Sequence, residues 1–290
     1  MHDQAQRLRT MVAQANRSSA GRDTRVITIS SGKGGVGKSN FTLNYALALA
    51  DQGKKVVILD ADVGFANIDV LMGVKPKLTL AELIRKQVTV WDILETGPMG
   101  IKFIAGGSGF QDLLDLQPEQ FDYLIEQLGL LQGYADYVLI DTGAGLTAQS
   151  LRLILAADDI FVVLTPEPTS ITDAYALIKM VINREPNARM KLLVNRAQSN
   201  EEGREAADKI KLVAERFLNL QIPILGILPD DPNVLRSVKK QVPFYIAHPE
   251  TVASRSLKQL IQAQLHGEAE QDTSPKGMKQ FLHRMARLFR

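Results

Sequence analysis

The sequence predicts an α/β fold, a doubly wound and mostly parallel sheet flanked by helices, and three observations carry that reading. Val26–Ser30 runs as a strand into a glycine-rich turn and then into a helix. Continuous apolar runs of strand length recur along the chain, and helical patterns lie between most of them. No internal repeat interrupts the alternation.

Residues 3–16 fit a short amphipathic helix. Asp3 and Gln6 can cap its start, and Ala5, Leu8, Met11, Val12 and Ala15 fall near one face. Ser18-Ser19-Ala20-Gly21 then reads as a link. After the Val26–Ser30 strand, Asn40–Gln52 supplies the helix behind the glycine turn. Val56–Leu59 is apolar at every position, which suits a parallel strand covered on both faces. The same rhythm returns at Ile101–Ala105, Tyr137–Ile140, Ile160–Leu164, Lys191–Val194 and Ile224–Ile227. Helices are expected at Gln117–Leu131, Thr147–Ala156, Thr172–Asn183 and Gly203–Phe217. Four parts follow: an N-terminal arm and link (1–21), the α/β domain (22–266), a polar linker (267–275) and a terminal amphipathic helix (276–290).

At 290 residues and 45% hydrophobic content, the chain can bury a sizeable core. No apolar run approaches the roughly 20 residues of a spanning helix, and the start lacks a signal peptide's apolar stretch. A cytoplasmic location is therefore expected. The absence of cysteine excludes disulfides and cysteine-ligated iron–sulfur or zinc sites, and four scattered histidines argue against catalytic zinc. The net charge of +2 is unevenly placed: +3 over residues 1–25 and +5 over 276–290, leaving −6 on the body. Basic ends on an acidic body direct anionic partners to the ends and make nucleic acid an improbable ligand of the body.

Residues 32–39 read Gly32-Lys33-Gly34-Gly35-Val36-Gly37-Lys38-Ser39, which satisfies the phosphate-loop pattern G-x-x-x-x-G-K-[ST]. Its glycines let backbone N–H groups approach a phosphate at a helix N-terminus, which continues through Asn40. Lys38 is placed for the outer phosphates and Ser39 for Mg²⁺. The next strand ends in Asp60-Ala61-Asp62, and a later one in Asp141-Thr142-Gly143. Carboxylates at the carboxyl ends of such strands stand where these sheets bind ligands.

Lys33 adds a second lysine, and the segment Lys33–Ser39 resembles the deviant Walker A motif of the MinD/ParA family of ATPases. The resemblance implies that Lys33 crosses a homodimer seam to the partner's phosphates, an ATP-dependent arrangement. It implies that Asp62 orients the attacking water, that Asp60 supports the Mg²⁺ shell and that Asn67 lies near the seam. Asp141 would hold Mg²⁺, although the family usually has proline where Gly143 stands. Asn195 and Arg196, with the backbone of Pro229–Asp231, would hold adenine, and Glu167 would reach the second subunit. ATP/ADP and Mg²⁺ are thus the expected cofactors.

On a helical wheel Met278, Phe281, Leu282, Met285, Leu288 and Phe289 share one arc, with Lys279, Arg284 and Arg287 opposite. Such a helix can lie in an anionic membrane surface or dock on the body, and the family resemblance favours peripheral membrane attachment. Asp3-Gln4-Ala5-Gln6-Arg7-Leu8-Arg9 is similar to a D-Q-A-x-x-L-R arm of flagellar members of the family. That likeness makes Asp3, Gln4, Ala5, Leu8 and Arg9 an activating arm for an FlhF-like GTPase, with flagellar switch-complex proteins as further partners. Control of flagellar number and placement follows from the same likeness. Septum placement and DNA partition are the alternatives within the family.

Overall fold

The computed structural model describes residues 24–62, 67–86, 88–107, 116–145, 147–270 and 277–289. The first strand, β1 (Arg25–Ser30), leads through the glycine loop to α1 (Lys38–Asp51) and β2 (Val56–Ala61). Three short helices follow, α2 (Ile68–Met72), α3 (Leu80–Lys86) and α4 (Val90–Ile93), and then the hairpin of β3 (Glu95–Thr96) and β4 (Lys102–Ile104). The middle comprises α5 (Pro118–Gly129), β5 (Tyr137–Thr142), α6 (Ala148–Ala156) and β6 (Asp159–Leu164). Then come α7 (Pro168–Ile182), β7 (Met190–Ala197), α8 (Asn200–Leu218) and β8 (Ile224–Pro229). Four helices close the chain: α9 (Pro232–Lys240), α10 (Phe244–Ala247), α11 (Val252–Glu270) and α12 (Gly277–Phe289).

The strands form one sheet in the order β3-β4-β2-β5-β1-β6-β7-β8. Every neighbouring pair is parallel except β3 with β4. Alternate strand residues feed opposite layers, as the pleat requires. Ile27, Ile29, Ile58, Leu139, Phe161 and Val163 pack with α1, α10 and α11 on one face. Val26, Val57, Leu59, Val138 and Ile140 pack with α3, α4, α5 and α12 on the other. Helices on both faces explain why β2, β5 and β6 carry unbroken apolar runs (Val56–Leu59, Tyr137–Ile140 and Ile160–Leu164). Because β5 and β6 flank β1, the loop after β1 opens at the crevice where the winding reverses direction.

Two expectations are adjusted. Helix α7 begins at Pro168, four residues before the expected Thr172, because proline fits the first helical turn. The linker's first residues, Gly267–Glu270, continue α11, which buries Ala253, Leu257, Leu260, Ile261 and Gln264 on one face.

The terminal helix also has a definite place. Met278, Phe281, Leu282 and Met285 are buried against α5, α6 and the β1 edge, and Leu288 and Phe289 are partly covered. The ring of Phe289 stacks on Phe121 at 5.9 Å, and the Arg152 guanidinium lies over it at 5.0 Å. At the helix start, Asp158 accepts from the Gly277 N–H and Gln132 from the Met278 N–H, at 3.3 and 2.8 Å. The face expected to meet a membrane is therefore covered by the body, while Lys279, His283 and Arg287 face outward. Among the described residues no helix is long and apolar enough to cross a membrane.

Candidate nucleotide site

The glycine loop is tied to its surroundings at both ends. Gly37 takes a left-handed φ of 88° immediately before α1, and a Cβ there would overlap the Asn195 amide nitrogen. A Cβ at Gly32 would overlap the carbonyl oxygen of Asp173 in α7. The loop thus lies against two elements more than a hundred residues away in sequence. Asn195 fixes the contact by donating its amide to the Val36 carbonyl at 2.8 Å.

Lys38 opens α1, and its side chain is almost fully buried, with the ammonium 3.0 Å from Asp141 Oδ1. The Thr42 hydroxyl reaches the same carboxylate oxygen at 3.1 Å, one helical turn after Lys38. Asp141 Oδ2 is buried and has no hydrogen-bond partner among the described residues. A buried carboxylate oxygen left unpaired is costly, and a hydrated divalent cation is one chemical complement for it. The donor set of Asp141 with the hydroxyl of half-buried Ser39 therefore fits Mg²⁺, which would supply charge neutralisation at a bound polyphosphate.

Asp60 and Asp141 are direct partners across β2 and β5. Burial, and then the charge of Asp141, raise Asp60 to a pKa of about 7. Its oxygens accept from the N–H groups of Asp62 (3.2 Å), Asn67 (3.0 Å) and Ile68 (3.2 Å). Asp60 was expected in the metal shell; in this structure it clamps the two ends of the loop between β2 and α2. Asp62 is raised by burial, with Lys38 opposing and Asp141 adding to the shift. One Asp62 oxygen accepts from the Asn67 amide at 3.2 Å. Residues 63–66, between them, lie outside the described residues.

Lys33 leaves the phosphate loop and reaches the start of α7, where it donates to Glu167 Oε2 at 2.9 Å and Thr169 Oγ1 at 3.0 Å. Lys33 and Glu167, both expected at a dimer seam, here meet each other within one chain. The pair is open to solvent, and the Lys33 ammonium holds the Glu167 carboxyl below the ordinary glutamate range.

On the other side of the loop, Gly37, Asn40, Phe41, Asn195, Leu228, Pro229, Val234, Phe244 and Ala253 line a recess. It gathers four of the residues expected at the nucleotide, and its walls are mostly apolar. Arg196 and Asp231 stand outside it. Arg196 has a φ of 58° and points to Asp230, with Nε 3.6 Å from Oδ1. The Asp231 carboxylate caps α9 through the Asn233 N–H (2.9 Å) and also accepts from the Ala253 N–H (3.3 Å). Burial alone would raise Asp231, but those bonds outweigh it and hold the carboxyl low. Gly34 and Gly35 are exposed at the loop's crest. Thr42 was missed by sequence reasoning, although its place one turn after Lys38 on the α1 face toward β5 was available as a signal. The arm residues Asp3, Gln4, Ala5, Leu8 and Arg9 lie outside the described residues.

Comparison with known proteins agrees with this geometry. A ParA model described as NUBPL iron-transfer P-loop NTPase matches residues 23–265. The iron-transfer part of that description finds no cysteine ligand here. Antiactivator FleN of Pseudomonas aeruginosa is 41% identical over 82% of this chain and 85% of its own length. The flagellum site-determining protein YlxH of Helicobacter pylori is 33% identical over 82% of this chain and 81% of its own. Among solved structures, the septum site-determining protein MinD of Pyrococcus horikoshii, complexed with Mg-ADP, superposes with a TM-score of 0.69 at 24% identity. That match covers 86% of this chain and 99% of the other.

Proposed function

The chain belongs to the MinD/ParA family of P-loop ATPases, and on that premise we propose that it is a flagellar regulator whose ATP-driven dimerisation controls membrane attachment. It is an ATPase that uses ATP and Mg²⁺. The backbone N–H groups of residues 34–39 and the N-terminus of α1 hold the phosphates, with Lys38 as the buried cation. Ser39 and Asp141 hold the metal, and Asp62 orients the attacking water on the loop that Asp60 clamps. Asn195 and the recess beside Pro229 receive the base.

The observation that carries the dimer reading is the position of Lys33. Its ammonium is not used inside its own phosphate loop but stands on the rim, paired with an exposed carboxylate of the same chain. An exposed ion pair of this kind is weak and screened by solvent, so it exchanges readily for a phosphate on a second copy. Delivered there, the lysine offsets charge that develops in phosphoryl transfer. Asn67, whose amide reaches Asp62, and Glu167 complete the seam in this reading.

Attachment uses the apolar face of α12. The residues that pack on the body are those that would enter a bilayer, so docking and insertion exclude each other. A single short amphipathic helix binds weakly, and two in a dimer gain by avidity. The arm around Asp3–Arg9 acts on an FlhF-like GTPase. Flagellar placement follows from that activity and from contacts with switch-complex proteins. Support for the flagellar assignment comes from the likeness to FleN and YlxH together with the D-Q-A-x-x-L-R arm.

Size-exclusion chromatography of wild type and Asp62→Ala, each with ADP or ATP, tests the cycle. The variant with ATP is expected to run as a stable dimer, and both proteins with ADP as monomers. A monomer under all four conditions would remove the basis for the role of Lys33.

A further inference from the structure

A cavity of about 460 Å³ opens at the amino-terminal edge of the sheet, where β1, β7 and β8 begin. Its size falls in the range of small-ligand pockets. The nucleotide loop lies at the other end of β1, about 20 Å away for a strand of this length. Nothing in the nucleotide chemistry uses this second cavity.

Its walls divide by character. Met190, Leu220, Ile222, Leu225 and Ala263 make an apolar side. Among the described residues, the ionic side holds Arg25, Arg189 and Lys191 against a single carboxylate, Asp159. That carboxylate is already committed at both oxygens, to Arg25 Nε at 2.6 Å and to Arg189 Nε at 3.4 Å. Arg189 Nε also donates to the Asp158 carbonyl at 3.0 Å, which fixes the plane of the guanidinium. Its Nη2 atom is nevertheless buried and has no hydrogen-bond partner among the described residues. Lys191, two residues after Arg189 where β7 begins and so on the same side of the extended chain, forms no ion pair among the described residues. An immobilised guanidinium beside an ammonium that has no ion pair among the described residues is a recognition geometry for an oxyanion.

We propose that this cavity is a second ligand site, specific for a small molecule that carries a phosphate monoester or carboxylate on a compact apolar body. The anion takes Lys191 and the exposed edge of the Arg189 guanidinium, and the apolar body lies on Leu220, Ile222 and Leu225. A ligand here also touches the support of α12. Arg189 holds the carbonyl of Asp158, whose carboxylate accepts from Val26 and from Gly277 at the helix start.

Hexyl phosphate is a suitable probe, titrated calorimetrically into the full chain with saturating ADP and Mg²⁺ so that the phosphate loop is filled. Saturable binding is expected, at least tenfold tighter than that of inorganic phosphate because the alkyl chain adds apolar contact. Lys191→Gln, which breaks no bond of the fold, should weaken it about tenfold or more, and Arg189→Gln similarly. Amide exchange should slow at 188–191 and 220–225. Vesicles containing phosphatidic acid separate two sources of the same chemistry. Binding that depends on Lys191 assigns the site to a lipid headgroup, and binding indifferent to it assigns the site to a free ligand. Absence of saturable hexyl phosphate binding, or equal affinity in Lys191→Gln, would overturn the proposal.

Discussion

Phe281 and Phe121 belong to opposite sides of the docking interface, and replacing them separately distinguishes docking from membrane insertion. Phe281 belongs to α12 and is 1% exposed; Phe121 belongs to α5 and is 5% exposed. Truncating a buried phenylalanine to alanine costs about 3–5 kcal/mol, from lost transfer energy and the cavity left behind. Phe121 also loses the stacked contact with Phe289, worth about 0.5–1.5 kcal/mol within that total. At about 1.4 kcal/mol per factor of ten, either change shifts the docking equilibrium by roughly two to three orders of magnitude.

Hydrogen exchange read by mass spectrometry is the assay. In both variants amides of 277–289 should exchange much faster, while those of β1 and α1 keep wild-type protection. Vesicle sedimentation then separates the pair. Phe121→Ala frees a helix whose apolar face is intact, so binding to anionic vesicles should rise. Phe281→Ala frees a helix that has lost its largest fully buried side chain, so binding should rise less or fall. If exchange rises equally in every segment, α12 is an inseparable part of the core and the docked-or-inserted scheme is wrong. If both variants gain vesicle binding equally, the buried face is not the inserting one.

Other consequences of the geometry are simpler to check. Glu167 is held below the ordinary glutamate range by Lys33. The interaction is therefore complete above that range and lost as pH falls through the depressed value; NMR titration should show Glu167 returning to its ordinary value in Lys33→Ala. Gly32→Ala forces a Cβ into the Asp173 carbonyl of α7, and overpacking of this kind costs about 1–3 kcal/mol, to be seen as a lower urea midpoint with weaker ATP binding. Asp231→Ala removes the α9 cap and should cost about 0.5–2 kcal/mol in urea denaturation without abolishing nucleotide binding.

Much of this was legible because it is local. The strand–loop–helix at 26–52 is written in consecutive residues, and strands covered on both faces announce themselves as apolar runs. Helix α11 was not anticipated, since part of its buried face is polar or small, with Ala253, Ser254 and Gln264. Its place depends on partners such as Tyr45, whose hydroxyl donates to Gln264 more than two hundred residues away. The sequence could identify the amphipathic face of α12 but not its occupant, because a bilayer and a protein groove ask for the same apolar stripe. The loop-clamping role of Asp60 was hidden for a related reason. Two carboxylates two residues apart look equivalent in sequence, yet only the fold shows that Asp60 is consumed by three backbone N–H groups. Lys33 meeting Glu167 is likewise a tertiary fact, set by β6 lying beside β1.

The two ends of β1 raise the question of how nucleotide state could reach α12 at all. Its carboxyl end becomes the phosphate loop, and its amino end gives the Val26 N–H to Asp158 at 3.0 Å. Asp158 Oδ2 also accepts from Gly277, so one carboxylate oxygen links the strand to the start of the helix. A parallel strand in the middle of a sheet does not slide freely, and coupling through it requires an element with two arrangements. Asp158 is a candidate for that element, because burial raises its carboxyl above the ordinary aspartate range and so weakens its hold on the charge it uses. Asp158→Ala leaves the Val26 and Gly277 N–H groups without this acceptor, at about 1–3 kcal/mol for each buried group left unsatisfied. If the link transmits, the variant should show fast exchange at 277–289 whether ADP or ATP is bound, whereas wild type should show it only with ATP. Nucleotide-dependent exchange that survives in Asp158→Ala would place the coupling elsewhere, most directly on the α5 and α6 surfaces that carry the helix.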